Sequence, residues 1–310
     1  MRLEGIHHIT AITADAPRNV DFYARVLGLR LVKKTVNQDD PTVYHLFYAD
    51  EQGSHGADLT FFEYPGARRG RPGAGMVNRV VWRVGSEEAL DFWAERLAGE
   101  GVTSERVPGG LRFDDPEGLG LELTVADTPD APLTARSTEV PAEMALQGFE
   151  AVGAGVGRLE ASERMLRDVL GFAERAPHDW EARGEHRGGR IVLEQVAERG
   201  FGGAGTVHHV AWAARDDEQE AWRERVVAAG AQPTPVIDRF YFRSVYFREP
   251  GGVLFELATL GPGFTADEPL EHLGERLSLP PAYEALRDQL GEVLTPLPDT
   301  RRWRPAPVRG

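Results

Sequence analysis

One pattern recurs four times along this chain and limits what it can become: a strand, a helix closing on glycine, then three more strands. Residues 5–14 read as a strand. Residues 18–27 read as a helix ending at Gly28, with Phe22, Val26 and Leu27 at helical spacing, and 29–35, 42–49 and 56–62 as three strands. The order returns with a strand over 77–84, a helix over 86–98 carrying Leu90, Trp93, Ala94 and Leu97 on one face, and short strands ending at 118–125. A third copy opens at 149–156, has its helix at 162–170 before Gly171, and ends at 190–196. The fourth opens at 207–213, has its helix at 218–229 before Gly230, and ends at 253–259. Copies two and four match in detail: Phe-Asp-Asp-Pro-Glu-Gly at 113–118 answers Phe-Arg-Glu-Pro-Gly-Gly at 247–252, a Pro-Gly turn before an antiparallel strand.

Four βαβββ modules make an α+β fold in two halves, 1–126 and 147–260. Residues 127–146, rich in Pro, Ala, Thr and acidic residues, read as the linker, and 261–310 as a tail with one amphipathic helix at 281–294.

The last strand contains an anomaly. In Gly-Gly-Val-Leu-Phe-Glu-Leu-Ala-Thr, 251–259, alternation puts Leu254, Glu256 and Ala258 on one face and Phe255 and Leu257 on the other. A carboxylate among apolar neighbours is costly unless paired or bound to a metal. Two His-His pairs, His7-His8 and His208-His209, stand on the first strands of modules 1 and 4, which is where a metal would need them. Adjacent strand residues point to opposite faces, so one His of each pair is expected to reach the metal. His8 then shares a face with Ile6, Thr10 and Ile12, and His209 with Val207, Ala211 and Ala213. Glu122 holds the equivalent place in module 2, but there the His-His positions read Asn78-Arg79; module 3 has Gln147, Gly148 and Phe149 in that region. A lone Glu is therefore not diagnostic, and Glu122 is expected to pair with an Arg such as Arg79. Modules 1 and 4 should face each other around the ion, with modules 2 and 3 pairing separately as scaffold.

Composition narrows the chemistry. With no Cys, a thiolate nucleophile, a disulfide framework and Cys-based metal sites are excluded, so any metal is held by His, carboxylate and water. The net charge of −14 argues against nucleic acid or an anionic membrane as partner. No apolar run approaches the roughly 20 residues that span a bilayer, and Met-Arg-Leu-Glu-Gly-Ile lacks a signal-peptide core, so a cytoplasmic location is the expectation. No phosphate loop and no Gly-x-Ser-x-Gly elbow is present.

Several strings are more specific: Leu-Glu-Gly-Ile-His-His-Ile-Thr (3–10), Leu-Val-Lys-Lys-Thr-Val-Asn (31–37), Asp-Asp-Pro (39–41), Tyr-His-Leu-Phe-Tyr (44–48) and Val-His-His-Val-Ala (207–211). With the repeated unit, they make the chain resemble the vicinal oxygen chelate superfamily of glyoxalases, bleomycin-resistance proteins and extradiol dioxygenases. The closest branch is the hydroquinone-type ring-cleaving dioxygenases. The resemblance implies a Fe(II) site, with Mn(II) or Zn(II) as alternatives, held by His8, His209 and Glu256. It places His7 and His208 beside the site and Arg239, Tyr246 and Thr10 in the pocket. The implied reaction joins O2 to a hydroquinone or catechol-type diol in a protein that forms a homo-oligomer.

On this reading His208 or His7 moves protons, Arg239 or Tyr246 holds the ring's other hydroxyl, and Tyr44, Phe240 and Phe242 wall the ring, with His45 another wall candidate. His55, His178, His186 and His272 are expected at the surface. One rival is a glyoxalase-like isomerase or thiol transferase on the same fold, which would bring a second carboxylate or Gln to the metal. Residues 59–63, Leu-Thr-Phe-Phe-Glu, carry the test: Glu63 pointing in favours the isomerase, Phe61 or Phe62 pointing in favours the oxygenase. Another rival is a non-catalytic protein that sequesters small aromatics.

Overall fold

The computed structural model describes residues 1–305. Among the described residues, sixteen strands form two eight-stranded sheets. Module 1 contributes β1 (Ile6–Thr13), β2 (Arg30–Asn37), β3 (Asp40–Ala49) and β4 (Asp58–Glu63); module 2 contributes β5 (Met76–Val84), β6 (Ser104–Val107), β7 (Gly110–Asp114) and β8 (Gly120–Val125). Module 3 supplies β9 (Phe149–Val156), β10 (Ala173–Ala176), β11 (Asp179–Arg183) and β12 (Gly188–Gln195); module 4 supplies β13 (Thr206–Ala214), β14 (Ile237–Asp238), β15 (Arg243–Arg248) and β16 (Leu254–Thr259). Within each module the first and last strands run parallel side by side, as β1 does with β4 and β13 with β16.

The modules pair across the chain. The first sheet runs β14-β15-β16-β13-β1-β4-β3-β2, joining module 4 to module 1 through the antiparallel β1–β13 pair. The second runs β10-β11-β12-β9-β5-β8-β7-β6, joining modules 3 and 2 through β5–β9. This is the pairing expected from the survival of His residues in modules 1 and 4.

The helices lie against the core face of the sheets. Helix α1 (Ala16–Val20) starts where the Asp15 carboxylate accepts the Arg18 amide. It continues as a π-helical turn, Asp21–Val26, closed by Leu27 N donating to the Phe22 carbonyl. Helix α2 (Glu87–Gly99) is capped by Ser86 and buries Ala89, Leu90, Trp93 and Leu97, not Ala94, which is only partly buried. Helix α3 (Leu159–Arg164) ends like α1 in a π-helical turn, Met165–Val169, and α4 (Gln219–Ala228) buries Trp222 and Val226. Apolar spacing forecasts these helices but does not separate an α from a π turn. The tail carries a 3-10 turn, Pro281–Leu286, running into α5 (Arg287–Val293).

The central strands depart from simple alternation. Between Ile6↔Trp212 and His8↔Ala211, two residues of β1 stand against one of β13, so His7 is a β-bulge. Between Thr10↔His209 and Ala11↔Val207, His208 is the extra residue of β13. The second sheet repeats both, at Asn78 (Val77↔Ala154, Arg79↔Gly153) and at Glu150 (Val81↔Ala151, Trp82↔Phe149). Each bulge reverses the faces before it. Ile6 and Val207 therefore lie in the main hydrophobic core, not on the face of His8 and His209 as alternation predicts. The bulges also fix which residues are equivalent. His8, Arg79, Ala151 and His209 share one station. Thr60, Glu122, Val192 and Glu256 share another, two residues on and across the parallel pair.

Candidate metal centre

β1, β13 and β16 bring His8, His209 and Glu256 together from residues some 250 apart in sequence, all three buried. His209 Nε2 lies 2.8 Å and His8 Nε2 3.2 Å from Glu256 Oε2, and the two Nε2 atoms are 3.2 Å apart. Among the described residues, neither oxygen of Glu256 makes a well-directed hydrogen bond. An ion about 2.1 Å from each donor would hold adjacent donors about 3.0 Å apart, so these separations fit a metal at their centre. Burial works to raise the Glu256 carboxyl, but His8 and His209 outweigh it and hold it well below the carboxylate range. Burial lowers the His209 imidazole, against the pull of Glu256, favouring the neutral ring that a ligand requires.

The bulged residues support this set from behind. His7 Nδ1 is 2.9 Å from His8 Nδ1, and His208 Nδ1 is 2.8 Å from His209 Nδ1. With Nε2 of each ligand aimed at the centre, its Nδ1 carries the proton and donates to the bulge residue. His7 then donates from Nε2 to the Thr259 carbonyl at 3.0 Å, which pins its tautomer. His208 has no such anchor and lies exposed outside the pocket lining, its pKa lowered by partial burial of the ring and then by His209 and Arg248. Burial and His8 together hold the His7 imidazole well below its ordinary value.

A pocket open at one end faces the triad and is lined by His8, His209, His45, Phe47, Phe62, Phe242, Arg239 and Tyr246 with the strip 35–39. The His45 ring lies 3.9 Å from Phe47 and 4.4 Å from Phe62, centre to centre; Phe242 is 5.1 Å from His8 and Tyr246 5.6 Å from His209. Arg239 stands 5.5 Å from the Tyr246 ring and grips Asp39 with both terminal nitrogens, at 3.0 and 2.9 Å. Burial first, then the charges of His8 and His209, keep His45 neutral. A polar line runs behind the pocket, from His45 Nε2 to Thr60 Oγ1 (2.9 Å), whose hydroxyl donates to Thr10 Oγ1 (2.8 Å).

Arg239 and Tyr246 thus line the pocket, while Thr10, His7 and His208 stand behind it. Tyr44, expected as a wall, is in the main core because alternation turns His45 inward instead, and Phe240 lies outside the lining. His55 is half-buried, not surface, with its ring 6.1 Å from His7. Asp39, Gln38, Thr35 and Phe47 also line the pocket from the β2–β3 hairpin; the strings 31–37, 39–41 and 44–48 pass through or beside them without assigning them a role.

The station equivalent to Glu256 in module 1 is Thr60, within the 59–63 segment whose inward residue the sequence leaves open. Phe62 points into the pocket and Phe61 into the core. Glu63 turns away, its Oε1 accepting from Ala16 N and Thr295 Oγ1, each at 3.1 Å. Among the described residues no second carboxylate joins the triad. In the second sheet, Glu122 takes Arg79 Nη1 at 3.2 Å and Arg112 Nε at 2.7 Å, and Ala151 stands where His8 would be.

Fold and donor set together define a metal-binding βαβββ protein. The sequence pattern of the Glyoxalase/Bleomycin resistance protein/Dioxygenase superfamily matches residues 5–123 and 148–257, and the chain belongs to that superfamily. It is 39% identical to the Bacillus subtilis protein named "Putative ring-cleaving dioxygenase MhqA", across 96% of this chain and 100% of that one. It is 34% identical to the chlorohydroquinone/hydroquinone 1,2-dioxygenase of Sphingobium indicum, across 93% and 95%. A crystal structure described as a "putative dioxygenase" from Bacillus subtilis superposes with a TM-score of 0.88 at 39% identity, over 96% of this chain and 98% of that one. Glyoxalase I from Zea mays, 18% identical with a TM-score of 0.59 over 84% and 93%, shares the fold. Among the described residues no helix is long and apolar enough to cross a membrane.

Proposed function

We propose that this chain cleaves the ring of a hydroquinone- or catechol-type diol with O2, using Fe(II) held by His8, His209 and Glu256. The observation that carries the reading is the donor set: two imidazoles and one carboxylate on one side, with Thr60 where a fourth ligand would stand, facing an aromatic pocket. Two His and one carboxylate with open positions are the donor pattern of non-haem Fe(II) oxygenases. Relatives named for ring cleavage, one of them for hydroquinone, support the same reading. Iron bound there would supply the electron transfer that lets a diol combine with dioxygen.

The chain's own groups position the ring and its protons. Phe47, Phe62 and Phe242 hold its faces and exclude water. His45 donates from Nε2 to Thr60, which leaves its Nδ1 lone pair free to take the proton of a ring hydroxyl. Tyr246 is placed to hold the remote hydroxyl. His7 and His208 fix the ligand tautomers, and His208, exposed behind the pocket, can pass a proton to solvent. For a hydroquinone, whose hydroxyls are not adjacent, the bond broken would lie beside one hydroxyl. That matches the 1,2 position in the name of the Sphingobium indicum relative.

The test is anaerobic loading with Fe(II), then oxygen uptake with hydroquinone and catechol panels. Uptake with at least one diol is expected. No uptake with any, together with isomerase activity on Zn(II) or Ni(II), would sink the reading in favour of the glyoxalase-like alternative.

A further inference from the structure

The mouth of the pocket carries a pair of charges whose arrangement bears on which rings can enter. Among the described residues, Arg239 and Asp39 are the permanently charged side chains lining the pocket outside the triad. Arg239 is mostly buried, at 17% side-chain exposure, while Asp39 is 73% exposed, so the carboxylate marks the solvent end. Both terminal nitrogens of Arg239 donate to Asp39 in a bidentate pair. The amides beside them are engaged as well: Gln38 Nε2 donates to the Arg239 carbonyl at 2.7 Å and Asn37 Nδ2 to the Tyr64 hydroxyl at 3.2 Å. Asn37 Oδ1 accepts the Asp39 amide at 2.9 Å, which holds the hairpin tip in place. Lys33, on the same hairpin, is locked to Asp267 and Glu268 and faces away from this mouth.

We infer that Asp39 sets the charge selectivity of the pocket: by occupying Arg239 at the mouth, it admits diols without an ionised substituent and rejects ring carboxylates. The inference rests on the ring-cleavage reading above and adds the substrate class. A ring carboxylate would arrive beside Asp39 with its natural partner Arg239 already paired, and so would meet a like charge at the mouth. With a dication held by the triad, one net positive charge would remain beside Glu256, which the diol's own phenolate would match. Neutral substituents such as methyl or chlorine meet Val36, Phe47 and Phe62 instead. A like-charge contact at a partly screened mouth, with the guanidinium partner withheld, is worth about tenfold or more in affinity.

The experiment titrates metal-free and Zn(II)-loaded protein, anaerobically and by calorimetry, with hydroquinone, methylhydroquinone and 2,5-dihydroxybenzoate; oxygen uptake by Fe(II)-loaded protein follows. Wild type should bind the two neutral diols at least about tenfold more tightly than the carboxylate. Asp39→Asn should move the ratio of carboxylate to hydroquinone affinity about tenfold toward the carboxylate. Adding Arg239→Gln to Asp39→Asn should remove that gain, and Asp40→Asn, whose carboxylate touches Thr42, should leave the ratio alone. Equal binding of all three ligands by wild type would overturn the inference. So would an Asp39→Asn protein that weakens all three alike, since Asp39 would then be holding the hairpin only. In both cases oxygen uptake with hydroquinone would persist and the ring-cleavage reading would stand. Absence of binding and of uptake with every diol would bring down that reading, and this one with it.

Discussion

Lys33→Met gives a measurable test of how the C-terminal tail is held. Lys33, on β2, is fully buried; its ammonium meets the Glu268 carboxylate, Asp267 Oδ1 at 2.7 Å and the Phe264 carbonyl at 3.1 Å, and lies 4.9 Å from the Tyr241 ring centre. Every one of these partners lies beyond the first 37 residues, and three of the four belong to the tail. Met keeps the length and the apolar stem but removes the charge. Asp267 is partly exposed and can hydrate; Glu268, 3% exposed, cannot, and Arg276 stands off at 3.7 Å. Breaking a buried pair by removing one partner costs about 3–5 kcal/mol. For a chain of this size that lowers Tm by about 5–8 °C. Thermal unfolding should show the drop, and limited proteolysis should cut the tail near residues 264–275 sooner than in wild type. Lys33→Met combined with Glu268→Leu removes both buried charges and should recover at least half of the loss. A single variant within about 1 kcal/mol of wild type, or a double variant no better than the single, would refute the view that this buried pair anchors the tail.

His209→Ala should lose bound metal, whereas His208→Ala should keep it and lose turnover; metal analysis after dialysis decides, and equal retention of metal and activity in both would remove the ligand assignment. Burial pushes the Asp115 carboxyl up to about 6, against the amides of Leu119 and Glu117 and the Tyr23 hydroxyl. An acid raised in the folded state contributes stability that is complete below about pH 4 and is lost as pH climbs through about 6. From the ordinary 3.8 to about 6 the difference is about 3 kcal/mol, so Asp115→Asn should flatten the fall in stability between pH 4 and 7 by up to that amount. Parallel urea-unfolding profiles for the two proteins would contradict it.

Much of the frame could be read from residues because its signals are local. Strand-helix-strand order follows from apolar spacing, and the partnership of modules 1 and 4 follows from where the His pairs survive. The Glu122–Arg79 pairing followed from the same comparison. What the sequence hid is register. A bulge leaves no mark in an alternating pattern, so alternation puts Ile6 and Val207 on the wrong face, and the inward residue of 59–63 stays open until the β1–β4 pairing singles out Thr60. Tyr44 and His45 could not be told apart for the same reason: one residue of register exchanges core for pocket. His55 and Asp39 reach their places through loops and hairpin tips, whose path depends on distant contacts such as Asp39 with Arg239.

The bulges at 7, 78, 150 and 208 separate the frame from the chemistry it carries. Because the backbone makes the same kink in all four modules, the second sheet presents a socket of the same shape, with Arg79, Ala151 and Glu122 standing where His209, His8 and Glu256 stand in the first. One socket is wired for a metal and the other is plugged by guanidinium groups, on a backbone that does not distinguish them. In such a doubled frame, gaining or losing a reactive centre takes the exchange of two side chains and no new fold.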